Sequence, residues 1–248
     1  MSERPTLLAV CGKGGVGKTA VSALLARALR ARGVGPLLLI DADPVGGLVH
    51  AMGQGASRTL AQVRAGVIRA ARGSTEADRQ QLADELDYRV MEALTEHEDY
   101  ALLAMGRSRD PGCFCPVNTL LRHAIETLAT PFAVVLVDAE AGVEQIQREV
   151  TRRVTRTLVV VDGSARSLHT LEAIGELVAP GTVAVVANRW TPSQPPPLPA
   201  DVTFLGRIPE DETLRDFDRQ GRPLWELPAE NPALAAAADL AAALEVDP

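Results

Sequence analysis

The 248 residues carry a formal net charge of −7, with 46% hydrophobic, 23% charged and only 3% aromatic positions. The acidic balance argues against a general nucleic-acid binder, which needs a basic stripe, and so few aromatics leave no extensive base-stacking surface. No apolar run approaches a membrane span, the N-terminus lacks a secretory pattern, and three cysteines make a disulfide framework a poor expectation.

In chain order, apolar runs predict strands at 6–12, 36–43, 132–140, 156–163, 182–188 and 202–208. They are continuous and not alternating, as in strands covered on both faces. Helical patterns lie at 18–32, 117–129, 143–152, 166–178 and 231–244. The alternation predicts an α/β fold of three layers, a mainly parallel sheet flanked by helices, in a single domain over 1–248. Residues 54–100 interrupt it: 57–73 and 75–96 read as amphipathic helices, and 99–106 resembles a strand after them. This stretch reads as a helical insertion carried by the main sheet. The proline-rich run 191–199 is kept out of helix and central strand by fixed φ and missing N–H groups. The expected compartment is the cytoplasm.

Lys13 and Lys18 are the only lysines; the other basic residues are arginines. Both sit in GKGGVGKT (12–19), where the first strand gives way to a helix. Gly12, Gly17, Lys18 and Thr19 match the G-x-x-x-x-G-K-[ST] phosphate loop of P-loop NTPases. Glycines allow the backbone of Gly12, Gly14, Gly15, Val16 and Gly17 to wrap phosphates with its N–H groups, and the helix N-terminus leading into Ala20 adds positive potential. Lys18 reaches the β- and γ-phosphates as a compact charge, for which arginine's planar fork is no substitute, and the Thr19 hydroxyl suits Mg²⁺.

The form KGGVGKT resembles the deviant Walker A motif of the MinD, ParA and nitrogenase-iron-protein group of dimeric ATPases. The resemblance implies that Lys18 acts in cis and Lys13 in trans, on the partner's nucleotide in an ATP-stabilised homodimer. DADP (41–44) resembles the group's switch I, which gives Asp43 the role of orienting the attacking water, while Asp41 could be a hydrogen-bonding residue at the strand end. VVLVDAEAG (134–142) resembles Walker B followed by switch II, with Asp138 holding Mg²⁺ through a water. VVANRW (185–190) resembles the adenine-recognition strand end, where the Asn188 amide can donate and accept. GRIPED (206–211), with Pro209, resembles the loop that closes over the base.

Cys113 and Cys115 form a C-x-C within the segment 106–116. In extended backbone, residues two apart point to one side, so both sulfurs can face one ion. A two-fold axis past this loop would complete a four-thiolate site, suited to Ni or Zn and not to Mg²⁺. PGCFCPVNTLLR (111–122) and DAEAGVEQIQR (138–148) resemble the CooC-type ATPases, accessory proteins that insert nickel into carbon monoxide dehydrogenase. That resemblance implies an ATP-driven metallochaperone with a client metalloenzyme of that type. The chain departs from the pattern at Ala20, at Val45-Gly46-Gly47 and at Gln145, which bears on the client and the metal. Cys11, at the end of the first strand, reads as core, and His123 as unconnected with the metal.

The alternative is a MinD/ParA-type positioning or partition ATPase without a metal role. From Leu224 to the end the chain has five acidic residues and no basic one, the wrong sign for DNA or an anionic membrane. No nucleic-acid or membrane partner is therefore expected. An iron–sulfur donor like the nitrogenase iron protein needs a cysteine beyond Asp138, and there is none.

Overall fold

The computed structural model describes residues 5–55, 58–71, 75, 78, 81–82, 85–107, 115–139, 154–176, 178, 181–190, 195–196, 198–199 and 202–246. Their strands are β1 (Thr6–Cys11), β2 (Leu37–Asp41), β3 (Leu94–Glu96), β4 (Tyr100–Ala104), β5 (Val134–Asp138), β6 (Arg156–Val161), β7 (Val183–Asn188) and β8 (Thr203–Ile208). The helices are α1 (Lys18–Ala31), α2 (Gly47–Ala51), α3 (Leu60–Ala71), α4 (Leu86–Met91), α5 (Cys115–Leu128), α6 (Ala165–Gly175), α7 (Glu212–Gln220) and α8 (Pro232–Ala243), with a 3-10 turn at Leu224–Glu226.

The strands form one eight-stranded sheet in the order β3-β4-β2-β5-β1-β6-β7-β8. Every pairing is parallel except β3 on β4. Because side chains alternate across a strand, β1 divides its apolar residues between two cores. Leu8 and Val10 pack with α1, α2, α7 and α8 on one face. Leu7, Ala9 and Cys11 pack with α3, α4, α5 and α6 on the other. This is the three-layer arrangement expected from the continuous apolar runs, each fully buried leucine contributing about 1.5–3 kcal/mol. No described helix is long and apolar enough to cross a membrane.

The placement of β1 decides where a ligand can sit. Its neighbours are β5 and β6, and the chain leaves it through α1 toward β2 on one side, while β6, β7 and β8 extend the sheet on the other. Such a reversal opens a crevice at the carboxyl ends of the strands, where open parallel sheets bind their ligands.

Three local expectations change. The helix expected over 75–96 gives way to a strand: Leu94–Glu96 pairs antiparallel with β4 and occupies that strand's open edge, a tertiary demand that local periodicity does not report. Gly47–Ala51 and Glu212–Gln220 form helices that were not expected, the second capped by Asp211, whose carboxylate accepts from the Leu214 N–H. Helix α5 begins at Cys115 and not at 117, so the extended backbone assumed for the C-x-C pair does not hold at Cys115. Cys113, the helix expected at 143–152 and switch II beyond Ala139 lie outside the described residues.

Candidate functional site

Residues 12–17 link β1 to α1 at the crevice, and glycines there are required by geometry. Gly12 has φ 142°, and a Cβ on it would lie 2.5 Å from the Val160 carbonyl oxygen. Gly17, the residue before α1, has φ 91°, and a Cβ would overlap the Asn188 amide nitrogen. Both turns sit in conformations that L side chains rarely adopt. Gly14 and Gly15 are exposed, with open space where a Cβ would stand, but Gly15 too has a left-handed φ, 84°. The Lys18 ammonium donates to the Lys13 carbonyl at 3.3 Å, so its charge already lies over the loop.

Asp138 ends β5 beside β1 and is 1% exposed. The Thr19 hydroxyl donates to its Oδ2 at 2.8 Å and the Ser22 hydroxyl to its Oδ1 at 3.2 Å. Burial pushes its carboxyl up to about 7, the neighbouring Asp41 charge adds to the rise, and the two hydroxyls and Lys18 oppose it. A buried carboxylate held by hydroxyls, beside a threonine hydroxyl and a phosphate loop, is a hard-oxygen donor set that fits Mg²⁺.

Asp41 stands next to Asp138 in register across β2 and β5 and is fully buried. Its carboxylate accepts from the N–H of Asp43 at 3.1 Å and of Val49 at 2.9 Å. Burial pushes it up to about 6 against those hydrogen bonds. Asp41 therefore ties the loop 42–46 and the start of α2 to the sheet. Asp43 is half-buried on that loop, and its carboxylate accepts from the Val45 N–H at 2.8 Å. Gly47 lies so close to Thr19 that a Cβ would stand 3.3 Å from its hydroxyl. The segment expected to be switch I thus packs directly on the residue expected to hold the metal.

A cleft of about 440 Å³ opens beside the loop, with Gly17, Thr19, Ala20, Asn188 and Pro209 in its wall. Five positions picked from three separate parts of the sequence converge there. Asn188, at the end of β7, is 3% exposed, and its Nδ2 donates to the Val16 carbonyl at 2.8 Å, so part of its amide supports the loop. Cys11 is buried in the core, and burial pushes its thiol up to about 12. His123 Nε2 lies 2.6 Å from an Asp87 carboxylate oxygen, pairing α5 with α4. Among the described residues no group of three or more His, Cys, Asp or Glu side chains is arranged to hold a metal.

Sequence reasoning missed Ser22, Arg189 and the α7 wall of the cleft. Ser22 was findable: it lies three residues after Thr19, on the same helix face. Arg189 carried no signal beyond its place after Asn188. Its guanidinium donates to the Gly15 carbonyl at 2.7 Å.

Comparison with known proteins gives a consistent result. A family model described as the CobQ/CobB/MinD/ParA nucleotide binding domain matches residues 7–224. An uncharacterized ATP-binding protein of Methanocaldococcus jannaschii is 33% identical over 91% of this chain and 92% of its own length. The carbon monoxide dehydrogenase accessory protein CooC of Rhodospirillum rubrum is 32% identical over 89% of each chain. Among solved structures, the septum site-determining protein MinD of Pyrococcus horikoshii, complexed with Mg-ADP, superposes with a TM-score of 0.66 over 97% of this chain and 96% of its own, at 19% identity.

Proposed function

The chain belongs to the CobQ/CobB/MinD/ParA nucleotide-binding family, and we propose that it is a dimeric, ATP-switched metallochaperone or maturation factor. The coarser part stands without the proposal: it is a P-loop ATPase with the fold of that group. The finer reading is that it binds a soft metal, Ni or Zn, between subunits through Cys113 and Cys115 and delivers it to a client metalloenzyme like carbon monoxide dehydrogenase. The observation that carries this is the coincidence of a C-x-C whose Cys115 opens α5 with 32% identity to a carbon monoxide dehydrogenase accessory protein over most of both chains. The likeness to MinD is of fold and does not favour a positioning role.

In this reading the N–H groups of Gly12–Ala20 surround the phosphates of ATP, and Lys18 leaves the Lys13 carbonyl to neutralise them. The Thr19 hydroxyl, and Asp138 through a water, would hold Mg²⁺, which would offset charge on the phosphate oxygens. Asp43, released from the Val45 N–H, accepts a hydrogen bond from the attacking water and aligns it with the γ-phosphorus. Hydrolysis yields ADP and phosphate. Lys13 of each subunit reaches the partner's γ-phosphate, so closure depends on ATP and relaxes with its loss. Asn188 and Pro209 border the base.

The test is metal content per subunit across a size-exclusion peak, with and without ATP·Mg²⁺, for wild type and the Cys113→Ala/Cys115→Ala variant. One soft metal per dimer, lost in the variant, is the expected result. A dimer that forms with ATP and takes no metal under any loading overturns the metallochaperone reading and leaves the ATPase intact.

A further inference from the structure

Three carbonyl groups of the glycine loop are held by side chains. Lys13 accepts from Lys18 at 3.3 Å, Val16 from Asn188 at 2.8 Å and Gly15 from Arg189 at 2.7 Å. The first bond is broken when Lys18 turns to a phosphate; the other two come from the end of β7. In a planar trans peptide the C=O and the following N–H point in opposite directions. Fixing the Gly15 carbonyl therefore sets the direction of the Val16 N–H, which donates to the Lys13 carbonyl at 3.4 Å and closes the turn of the loop, and fixing the Val16 carbonyl aims the Gly17 N–H.

Arg189 does this from an anchored position. The same Nη2 lies 3.5 Å from an Asp162 carboxylate oxygen, and Asp162 is itself held by the Ser164 N–H at 3.1 Å and its hydroxyl at 2.7 Å. Burial raises the Asp162 carboxyl, but the Ser164 and Ser167 hydrogen bonds and the Arg189 charge outweigh it and leave it below its ordinary value. The loop follows β1, Asp162 follows β6 and Arg189 follows β7, and these strands are adjacent in the sheet. One guanidinium thus joins three strand ends. Arg189 also has φ 55°, an uncommon conformation for a residue with a side chain. The neighbouring Trp190 ring packs so closely on Gly163 that a Cβ there would be 2.6 Å from it. Strained backbone persists where surrounding structure over-determines it, and it clusters at functional sites.

We infer that Arg189 is a positioning residue for the phosphate cradle: it clamps the Gly15–Val16 peptide against Asp162 so that the loop is shaped before nucleotide arrives. It acts through the loop and not on the base, although it also borders the cleft. Both contacts are made by the one Nη2, so a lysine ammonium, a compact charge on a different stem, replaces it only in part. The inference rests on reading residues 12–19 as a phosphate cradle, and the experiment separates the two.

The full-length chain is titrated calorimetrically with ADP·Mg²⁺ and with inorganic tripolyphosphate·Mg²⁺, a probe that has no base. Wild-type binding of tripolyphosphate tests the cradle itself; its absence overturns that reading and this inference together. Given that binding, Arg189→Gln is expected to weaken both probes by the same factor, roughly tenfold, with Arg189→Lys between it and wild type. KM for ATP rises in step while kcat stays within about threefold, because binding lost equally from ground and transition states leaves kcat alone. Adding Asp162→Asn to Arg189→Gln costs nothing further, since the aspartate works through the arginine. Arg189→Gly, which adopts φ 55° without strain, loses the same affinity while its nucleotide-free melting midpoint holds or rises. A loss confined to ADP makes Arg189 a base contact and overturns the inference. Unchanged tripolyphosphate affinity in Arg189→Gln, or a midpoint of Arg189→Gly that falls with the affinity, overturns it as well.

Discussion

Replacing Asp138 by asparagine should stabilise the protein when Mg²⁺ and nucleotide are removed, although it damages the site. The carboxyl is raised from an ordinary 3.8 to about 7, mainly by burial. At about 1.4 kcal/mol per pH unit, keeping it ionised in the fold at pH 8 costs about 4 kcal/mol relative to the unfolded chain. Asparagine has nearly the same shape and no charge. Its Oδ1 can accept from the Thr19 hydroxyl, while its amino group needs the Ser22 hydroxyl to turn and accept. An imperfect exchange there takes back about 1–2 kcal/mol, which leaves a net gain of about 2 kcal/mol. For a chain of this size that raises the melting midpoint by about 4–8 °C. The folded-state pKa lies above the unfolded one, so the wild-type fold binds the proton more tightly and regains stability as pH falls. The advantage of Asp138→Asn is therefore full at pH 8 and disappears as pH drops from about 7 to about 4. Scanning fluorimetry in EDTA at pH 8 and pH 5 reads both numbers, and with ADP·Mg²⁺ the order of the two proteins inverts. A variant less stable than wild type at pH 8 in EDTA, or an advantage independent of pH, would refute the reasoning.

Gly17→Ala should cost about 2 kcal/mol in urea unfolding, from φ 91° and the overlap with Asn188. Combining it with Asn188→Ala should recover part of the loss; strict additivity would show that the overlap is not the cause. Asn231→Ala removes the N-cap of α8, where the side chain accepts from the Ala233 N–H at 2.9 Å and donates to Asp211 at 3.0 Å. A drop of about 1–2 kcal/mol is expected by chemical denaturation, and no change would mean that water replaces the cap. Lys13→Ala should abolish the ATP-dependent rise in mass seen by light scattering while ADP still binds; a variant that dimerises normally with ATP would remove Lys13 from the trans contact.

The sequence by itself determined the layered α/β fold and the identity of the phosphate loop. Both depend on local patterns: apolar runs of strand length between helical periods, and glycines at fixed spacing before a lysine and a threonine. It also located Asp138, because a carboxylate at the end of a fully apolar strand is visible without coordinates. Other elements were not legible. The strand at Leu94–Glu96 exists because β4 has an edge to fill, and helix propensity nearby says nothing about a neighbour in the sheet. The raised carboxyls of Asp41 and Asp138 arise mainly from burial at the sheet's centre, where β2 and β5 pair in register, and that burial depends on residues far apart in the chain. Arg189 is the clearest case. In the sequence it is one arginine among many; in the fold the parallel ends of β1, β6 and β7 bring Gly15, Asp162 and Arg189 within reach of each other. Chemistry carried by a short motif is written locally, whereas support for that motif comes from across the sheet and is decided only when the strands align.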